Sequence, residues 1–146
     1  MDTIYSDTPA IDSGATIAQI FVGTESLVTD VYSMKTDRQF VNTLEDQIQE
    51  QGGAPAKLIS DRTQVEISNQ VKEILCAYCI ADWQSEPHHQ HQNYAEWWIQ
   101  QLKSLVNTIM DRVSAPANTW FLCLQYVTSI LNFMYSEKIK CTPLFP

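Results

Sequence analysis

Three carboxylates in this sequence occupy positions that suit metal chemistry. Asp7 stands just before Thr8-Pro9 at the end of a first strand-like run, and Asp61 ends the run "AKLIS". Glu96 falls in the first turns of a long predicted helix. Carboxylate oxygens are the hard ligands that Mg²⁺ prefers, and two such ions about 4 Å apart promote phosphodiester displacement. The three acids are therefore candidate ligands of a two-metal site.

Each acid also has a purely structural interpretation. Asp7 can terminate a strand, Asp61 can cap the helix that follows it, and Glu96 suits the positive end of a helix dipole. The elements that position the three acids decide between these interpretations.

Turn signals and hydrophobic periodicity predict those elements. The runs "DTIYSDTPAI", "ATIAQIFVGT" and "SLVTDVYSM" read as strands, and the turns between them are short enough for antiparallel hairpins. A helix closed by Gly52-Gly53 follows, and then "AKLIS" as a fourth strand. With a short fifth strand in "IADWQSEP", the order is βββ-α-β-α-β-α-α. We expect an α/β domain with a five-stranded mixed sheet in which strands one and four are neighbours, so that Asp7 meets Asp61.

Periodicity also predicts which helix faces are buried. The second helix and the long helix, from about Asn93 to Val113, each carry an apolar stripe, and the final helix is apolar on most faces, which predicts that it is largely buried. The stripe residues are Val71, Ile74, Leu75 and Tyr78 in the second helix, and Trp98, Leu102, Leu105 and Ile109 in the long helix. Glu96 falls outside the long helix's stripe, on a polar edge that it shares with Lys103.

Composition limits the classes of function. With 146 residues the chain suits one domain, with a core over about 1–113, a closing helix over about 117–136 and a loose tail over 137–146. No apolar run is long enough to cross a membrane, and the acidic start "MDTIYSDTPA" is unlike a signal peptide. The net charge of −8 is opposite in sign to that of most free-standing nucleic-acid binders.

The cysteines and histidines form two further candidate sites. Cys76 and Cys79 form a C-x-x-C at helical spacing among apolar residues, which favours buried thiols over a redox pair or half a zinc site. The run "EPHHQHQ", with His88, His89 and His91, favours a solvated loop over a metal cluster.

Three segments carry a resemblance to a known family. "SDTPA", "ISDRTQVEISN" and "EPHHQHQNYAEWWIQQLK" resemble the acidic motifs of the integrase catalytic core of Copia-type LTR retrotransposons. Asp61 and Glu96 are 35 positions apart, and Asp7 precedes Asp61 by 54, which is similar to the spacing in that family. The family has the RNase H-like fold, and the resemblance covers nearly the whole chain in the same element order.

The resemblance implies a function. Asp7, Asp61 and Glu96 would hold two Mg²⁺ or Mn²⁺ ions for DNA strand transfer, and Lys103 and Arg62 would contact DNA. Retroelement ends and target DNA would be the substrates, the chain would form a homo-oligomer, and the protein would work in the nucleus or in a cytoplasmic particle. Two alternatives stay open: a catalytically weak remnant that only binds nucleic acid or oligomerises, and an RNase H-type nuclease.

Overall fold

The structure of the chain is a computed structural model that describes residues 1–60, 69–84, 94–137 and 139–143. For residues 83–84 and 94–96 it describes the backbone alone. The strands and helices are β1 (Asp2–Tyr5), β2 (Ile17–Val22), β3 (Thr29–Met34), α1 (Phe40–Glu50), β4 (Lys57–Ser60), α2 (Asn69–Ala77), β5 (Ala81–Gln84), α3 (Tyr94–Val113) and α4 (Trp120–Phe133). Their order matches the predicted order.

The first three strands form an antiparallel sheet in the order β1-β2-β3. Asp2 pairs with Ile20 across β1 and β2, and Val22 pairs with Thr29 across β2 and β3. β2 is the central strand, and its residues from Ile17 to Phe21 are buried. Both predicted hairpins are therefore confirmed.

The last two strands, β4 and β5, form a separate parallel pair. The described residues thus form one three-stranded and one two-stranded sheet. The predicted single five-stranded sheet is not found among them. One backbone contact nevertheless joins the two groups, because the Met1 nitrogen donates a hydrogen bond of 2.9 Å to the Ile59 carbonyl. The start of β1 therefore lies beside the end of β4.

Helices cover both faces of the antiparallel sheet. Ala18 and Ile20 point to one face and belong to a core built with α3 and α4. Ile17 and Phe21 point to the opposite face, as strand alternation requires, and belong to a core built with α1, α2 and β4. The result is a layered α/β/α arrangement, and no helix in the described part of the chain is both long and apolar enough to span a membrane.

The buried face of α3 differs from the prediction. Ile99, Leu102 and Val106 are buried, whereas Leu105 is 41% exposed. At 100° per residue, the observed stripe is rotated by about 60° from the predicted one. The reason is that α3 packs against both the sheet and α4. The periodicity of one helix does not show where these two neighbours lie. The rotation brings Lys103 to the edge of the buried stripe, where it is half-buried.

The final helix is buried on one face only, which corrects the prediction of a largely buried helix. Trp120, Phe121, Leu124 and Val127 point into the core. Four large apolar side chains on the opposite side are exposed, and we call them the α4 outer face: Leu122, Tyr126, Ile130 and Phe133.

A buried amide attaches α4 to the free edge of the antiparallel sheet. The Asn132 side chain accepts a hydrogen bond of 2.9 Å from the Thr29 backbone N–H and donates one of 2.8 Å to the Thr29 carbonyl. The Trp98 indole donates a hydrogen bond of 2.9 Å to the hydroxyl of the same threonine. Thr29 thus connects β3 with both α3 and α4.

Candidate functional site

Asp2 is the acid of β1 that faces the long helix. It pairs with Ile20, which belongs to the α3/α4 core, so its side chain lies on the α3 side of the sheet. Its Oδ2 lies 3.4 Å from the Lys103 Nζ, and its Oδ1 accepts a hydrogen bond of 2.8 Å from the Thr3 backbone N–H. Both charged groups are partly exposed, so the pair contributes less than about 1 kcal/mol to stability. The pair matters for the geometry of the site, because it shows that β1 lies beside the helix that carries Glu96.

Asp7 lies in a different environment. It follows β1, is exposed, and belongs to a turn in which the Ser6 hydroxyl donates to the Thr8 carbonyl. That carbonyl also accepts a hydrogen bond of 2.8 Å from the indole of Trp120 at the start of α4. The turn is therefore attached to α4, and the path from Asp2 to Asp7 leads away from Lys103.

The helix geometry gives a scale for this difference. Glu96 and Lys103 are seven residues apart on α3, which is about 10 Å along the helix axis. Asp2 contacts Lys103. Asp7 lies five residues further along the chain, which is about 16 Å in an extended chain. The structure thus brings Asp2, and not Asp7, toward the half of α3 that carries Glu96.

The other predicted site residues are only partly described. Asp61 and Arg62 directly follow β4 in the sequence and lie outside the described residues, as do the three histidines. The backbone of Glu96 is helical, and its side chain is outside the described part. The proposed metal ligation by Asp7, Asp61 and Glu96 therefore stays a prediction, and within the described residues no three potential metal ligands cluster.

A groove runs beside the Asp2–Lys103 pair. It has a volume of about 510 Å³ and lies between β1, α3 and the start of α4. Polar groups at one side come from Thr3, Lys103 and Asn107, while Val106 and Met110 supply apolar walls. The groove therefore combines one charged group, already paired with Asp2, with neutral polar and apolar side chains.

Sequence reasoning missed Asp2 although a signal was present. Asp2 and Ile4 share one face of β1 by alternation, and Ile4 packs against the α3/α4 core. An acid on the core-facing side of a strand is unusual and points to a partner, which the structure identifies as Lys103.

Comparisons with known proteins support the fold. No family model matches the sequence, and no curated protein does. Among solved structures, the BIV integrase catalytic core domain matches 99% of this chain and 88% of its own, at a TM-score of 0.71 and 16% identity. The HTLV-2 integrase catalytic core domain, a trimeric form in complex with magnesium, matches 88% of this chain and 82% of its own, at a TM-score of 0.69 and 16% identity.

A longer protein also matches. A chain of the simian T-cell lymphotropic virus intasome in complex with the PP2A regulatory subunit B56 gamma matches 98% of this chain, with a TM-score of 0.77 and 14% identity. This chain covers 51% of that one, so it spans about half its length. At these identities the likeness shows that the chain has the fold of a retroviral integrase catalytic core.

Proposed function

We propose that this chain is the catalytic core of a retroelement integrase of Copia type, which transfers DNA strands with the help of divalent metal ions. Two facts support the proposal: the integrase-core fold, and the acidic motifs that end at Asp61 and Glu96. The observation that supports the proposal most is the Asp2–Lys103 contact, because this contact brings a carboxylate of β1 to the helix that holds Glu96. In the proposed fold, β1 and β4 are neighbours within one mixed sheet, as the Met1–Ile59 contact suggests.

The proposed ligands are Asp61, Glu96 and one acid of the β1 region. Asp7 fits the sequence motif, but Asp2 is the better candidate on position. Met1 contacts Ile59 at the end of β4, and Asp2 is the next residue along β1. Three carboxylates suit Mg²⁺ or Mn²⁺, and one integrase core of the same fold is known in complex with magnesium.

The residues of the chain have distinct parts in this proposal. Bound divalent ions supply positive charge at the scissile phosphate and activate the attacking oxygen. The carboxylates of Asp61, Glu96 and the acid of the β1 region would hold these ions. Lys103 pairs with Asp2 and lines the groove, which supports a role for it in contacting a phosphate of the DNA. Arg62 would be a second basic contact.

The charge of the chain predicts how it meets its substrate. At a net charge of −8, the domain repels DNA at long range, so affinity for free DNA is low. We therefore propose that it acts as a homo-oligomer and on DNA whose reacting ends are already positioned. The α4 outer face suits contact between copies, because α4 contains no charged residue.

The experiment is the rejoining of a labelled branched oligonucleotide in the presence of Mn²⁺. We expect activity in the natural sequence and its loss, by at least about a hundredfold, in Asp61→Asn and Glu96→Gln. Asp2→Asn and Asp7→Asn form a matched pair that removes the same charge at two ends of one segment. Asp2→Asn should abolish the reaction, whereas Asp7→Asn should retain it.

Each outcome separates the alternatives. If Asp7→Asn loses the rejoining activity and Asp2→Asn retains it, Asp7 and not Asp2 is the metal ligand of the β1 region. Activity that survives Asp61→Asn or Glu96→Gln would overturn the metal-site proposal. The thermal unfolding midpoint of every variant serves as the control for folding. A folded natural sequence with no activity would favour the alternative of a catalytically inactive remnant.

A further inference from the structure

The end of α2 has a conformation that brings two cysteines together. The Ile80 N–H donates a hydrogen bond of 2.8 Å to the Leu75 carbonyl, and the Cys79 N–H donates one of 3.2 Å to the Cys76 carbonyl. Cys79 has a φ of 55°, in the left-handed region. This pair of bonds around a left-handed residue is the Schellman motif. Cys76 and Cys79 are therefore the first and last residues of one closed turn.

Both thiols are exposed, which corrects the prediction that they are buried. The reason is that α2 packs into the core through Val71 and Leu75, and the next inward residue is Ile80. Cys76 directly follows Leu75 in the helix and so points away from that face. The prediction of buried thiols depended on the apolar neighbours of the two cysteines in the sequence, which do not reveal which side of the helix end faces the core.

The Cα separation across this turn is compatible with a disulfide. The first and last Cα atoms of a four-residue turn are less than about 7 Å apart, and disulfides span Cα separations of about 4.4–6.8 Å. Among the described residues, no third potential metal ligand joins the two thiols in a cluster.

We propose that Cys76 and Cys79 form a redox-sensitive dithiol that closes to an intramolecular disulfide on reaction with a small-molecule disulfide such as oxidised glutathione. One cysteine, as thiolate, attacks the glutathione disulfide and releases one glutathione. The second cysteine attacks the sulfur of the first in the mixed disulfide and releases the other glutathione. Two protein thiols are oxidised, one glutathione disulfide is reduced to two thiols, and both protons pass to glutathione.

The remaining two cysteines offer an internal comparison. Cys123 and Cys141 are half-buried. Burial raises the pKa of the Cys123 thiol, which lowers its thiolate fraction at neutral pH. The Cys123 thiol also lies 3.8 Å from the Val106 carbonyl within the contact between α3 and α4. Selective oxidation of the exposed pair is therefore expected.

The test is incubation of the full chain in glutathione buffers of increasing oxidised fraction, followed by intact-mass measurement and a count of free thiols. The natural sequence should lose two hydrogens in mass and two of its four thiols, remain a single chain and carry no glutathione. Cys76→Ser and Cys79→Ser should each accumulate a glutathione adduct, since neither can complete the second step. The double variant Cys123→Ser with Cys141→Ser should behave like the natural sequence.

The contrary results are equally definite. A stable glutathione adduct on the natural sequence, a cross-link between chains, or reaction of all four thiols at one rate would overturn the proposal. None of these readouts depends on DNA chemistry, so the test stands apart from that of the proposed function.

Discussion

Two side chains at the free edge of β3, Asp30 and Tyr32, have pKa values that their surroundings raise. Burial raises the pKa of Asp30 above its ordinary value of 3.8, and the neighbouring Glu50 adds to the rise. Hydrogen bonds from Gln51, at 2.7 Å, and from Gln47 oppose it. Burial and a hydrogen bond of 2.6 Å to Glu50 likewise raise the pKa of Tyr32, so its hydroxyl stays a neutral donor.

The raised pKa of Asp30 makes stability depend on pH. The folded state binds this proton more tightly than the unfolded state, so the free energy of unfolding falls as pH rises from about 3.8 through the raised value. We expect Asp30→Asn to raise the free energy of unfolding at neutral pH, by less than about 1 kcal/mol because the group is half-exposed. The gain should vanish below pH 3.8 in thermal unfolding measured across pH. A lower midpoint at neutral pH would contradict this account.

The sequence offers candidate residues for the chemistry, and it says less about where those residues meet. The motif spacing selects Asp61 and Glu96, and helical periodicity places Lys103 on the same edge of the long helix as Glu96. The selection of Asp7 depended on a motif, whereas the side chain that reaches α3, Asp2, is fixed by the register of β1 on β2. Register is a property of the paired strands, and a single strand does not reveal it.

Three helices end in the same backbone conformation. α1, α2 and α3 each finish in a Schellman motif whose left-handed residue is Gly52, Cys79 or Ser114. Only the first is a glycine, the residue that adopts a positive φ without steric cost. The sequence predicted the end of α1 from Gly52-Gly53, but it contained no comparable signal for the other two helices.

Replacing the two non-glycine residues should stabilise the protein. Cys79→Gly and Ser114→Gly are each expected to raise the free energy of unfolding by about 0.5–1 kcal/mol, because the left-handed conformation then carries no Cβ penalty. Gly52→Ala is the matched opposite change and should lower the free energy by a similar amount. Chemical denaturation measures all three, and equal stability across the set would show that these helix ends are unstrained.

At the scale of the whole molecule, the element order was predictable and the exposed surfaces were not. Alternating and helical periodicity located every strand and helix that the structure describes, because each depends on a local pattern. Which side of α4 faces the core depends on α3 and the sheet, which are distant in sequence. An almost wholly apolar helix gives no local signal for its exposed side.

The α4 outer face predicts how the molecule associates. Its four side chains fall within about 80° of one another around the helix, so they form one continuous surface. We expect Tyr126→Glu, at a side chain that is 60% exposed, to weaken self-association at least about tenfold while leaving the unfolding midpoint nearly unchanged. Sedimentation or light scattering over a concentration series measures this.

Gln101→Glu is the matched control, since it adds the same charge at an exposed position of α3. Equal association of both variants and the natural sequence would exclude the α4 outer face as the contact.

The hydrogen bonds between Asn132 and Thr29 have a consequence for the order of folding. They join positions 103 residues apart, so a chain leaving the ribosome cannot fix the free edge of β3 until the residues through Asn132 have been synthesised. At about 5–20 residues per second, that edge waits for at least several seconds as an unprotected template for other strands.

Asn132→Ala should therefore mainly speed unfolding, with a stability loss of about 2–3 kcal/mol and little change in the folding rate. Ser129→Ala, whose hydroxyl bonds only within its own helix at 2.9 Å, is the control and should change stability by less than about 0.5 kcal/mol. A folding rate that falls as far as the unfolding rate rises would mean that this contact is already partly formed in the transition state, which would contradict the expectation.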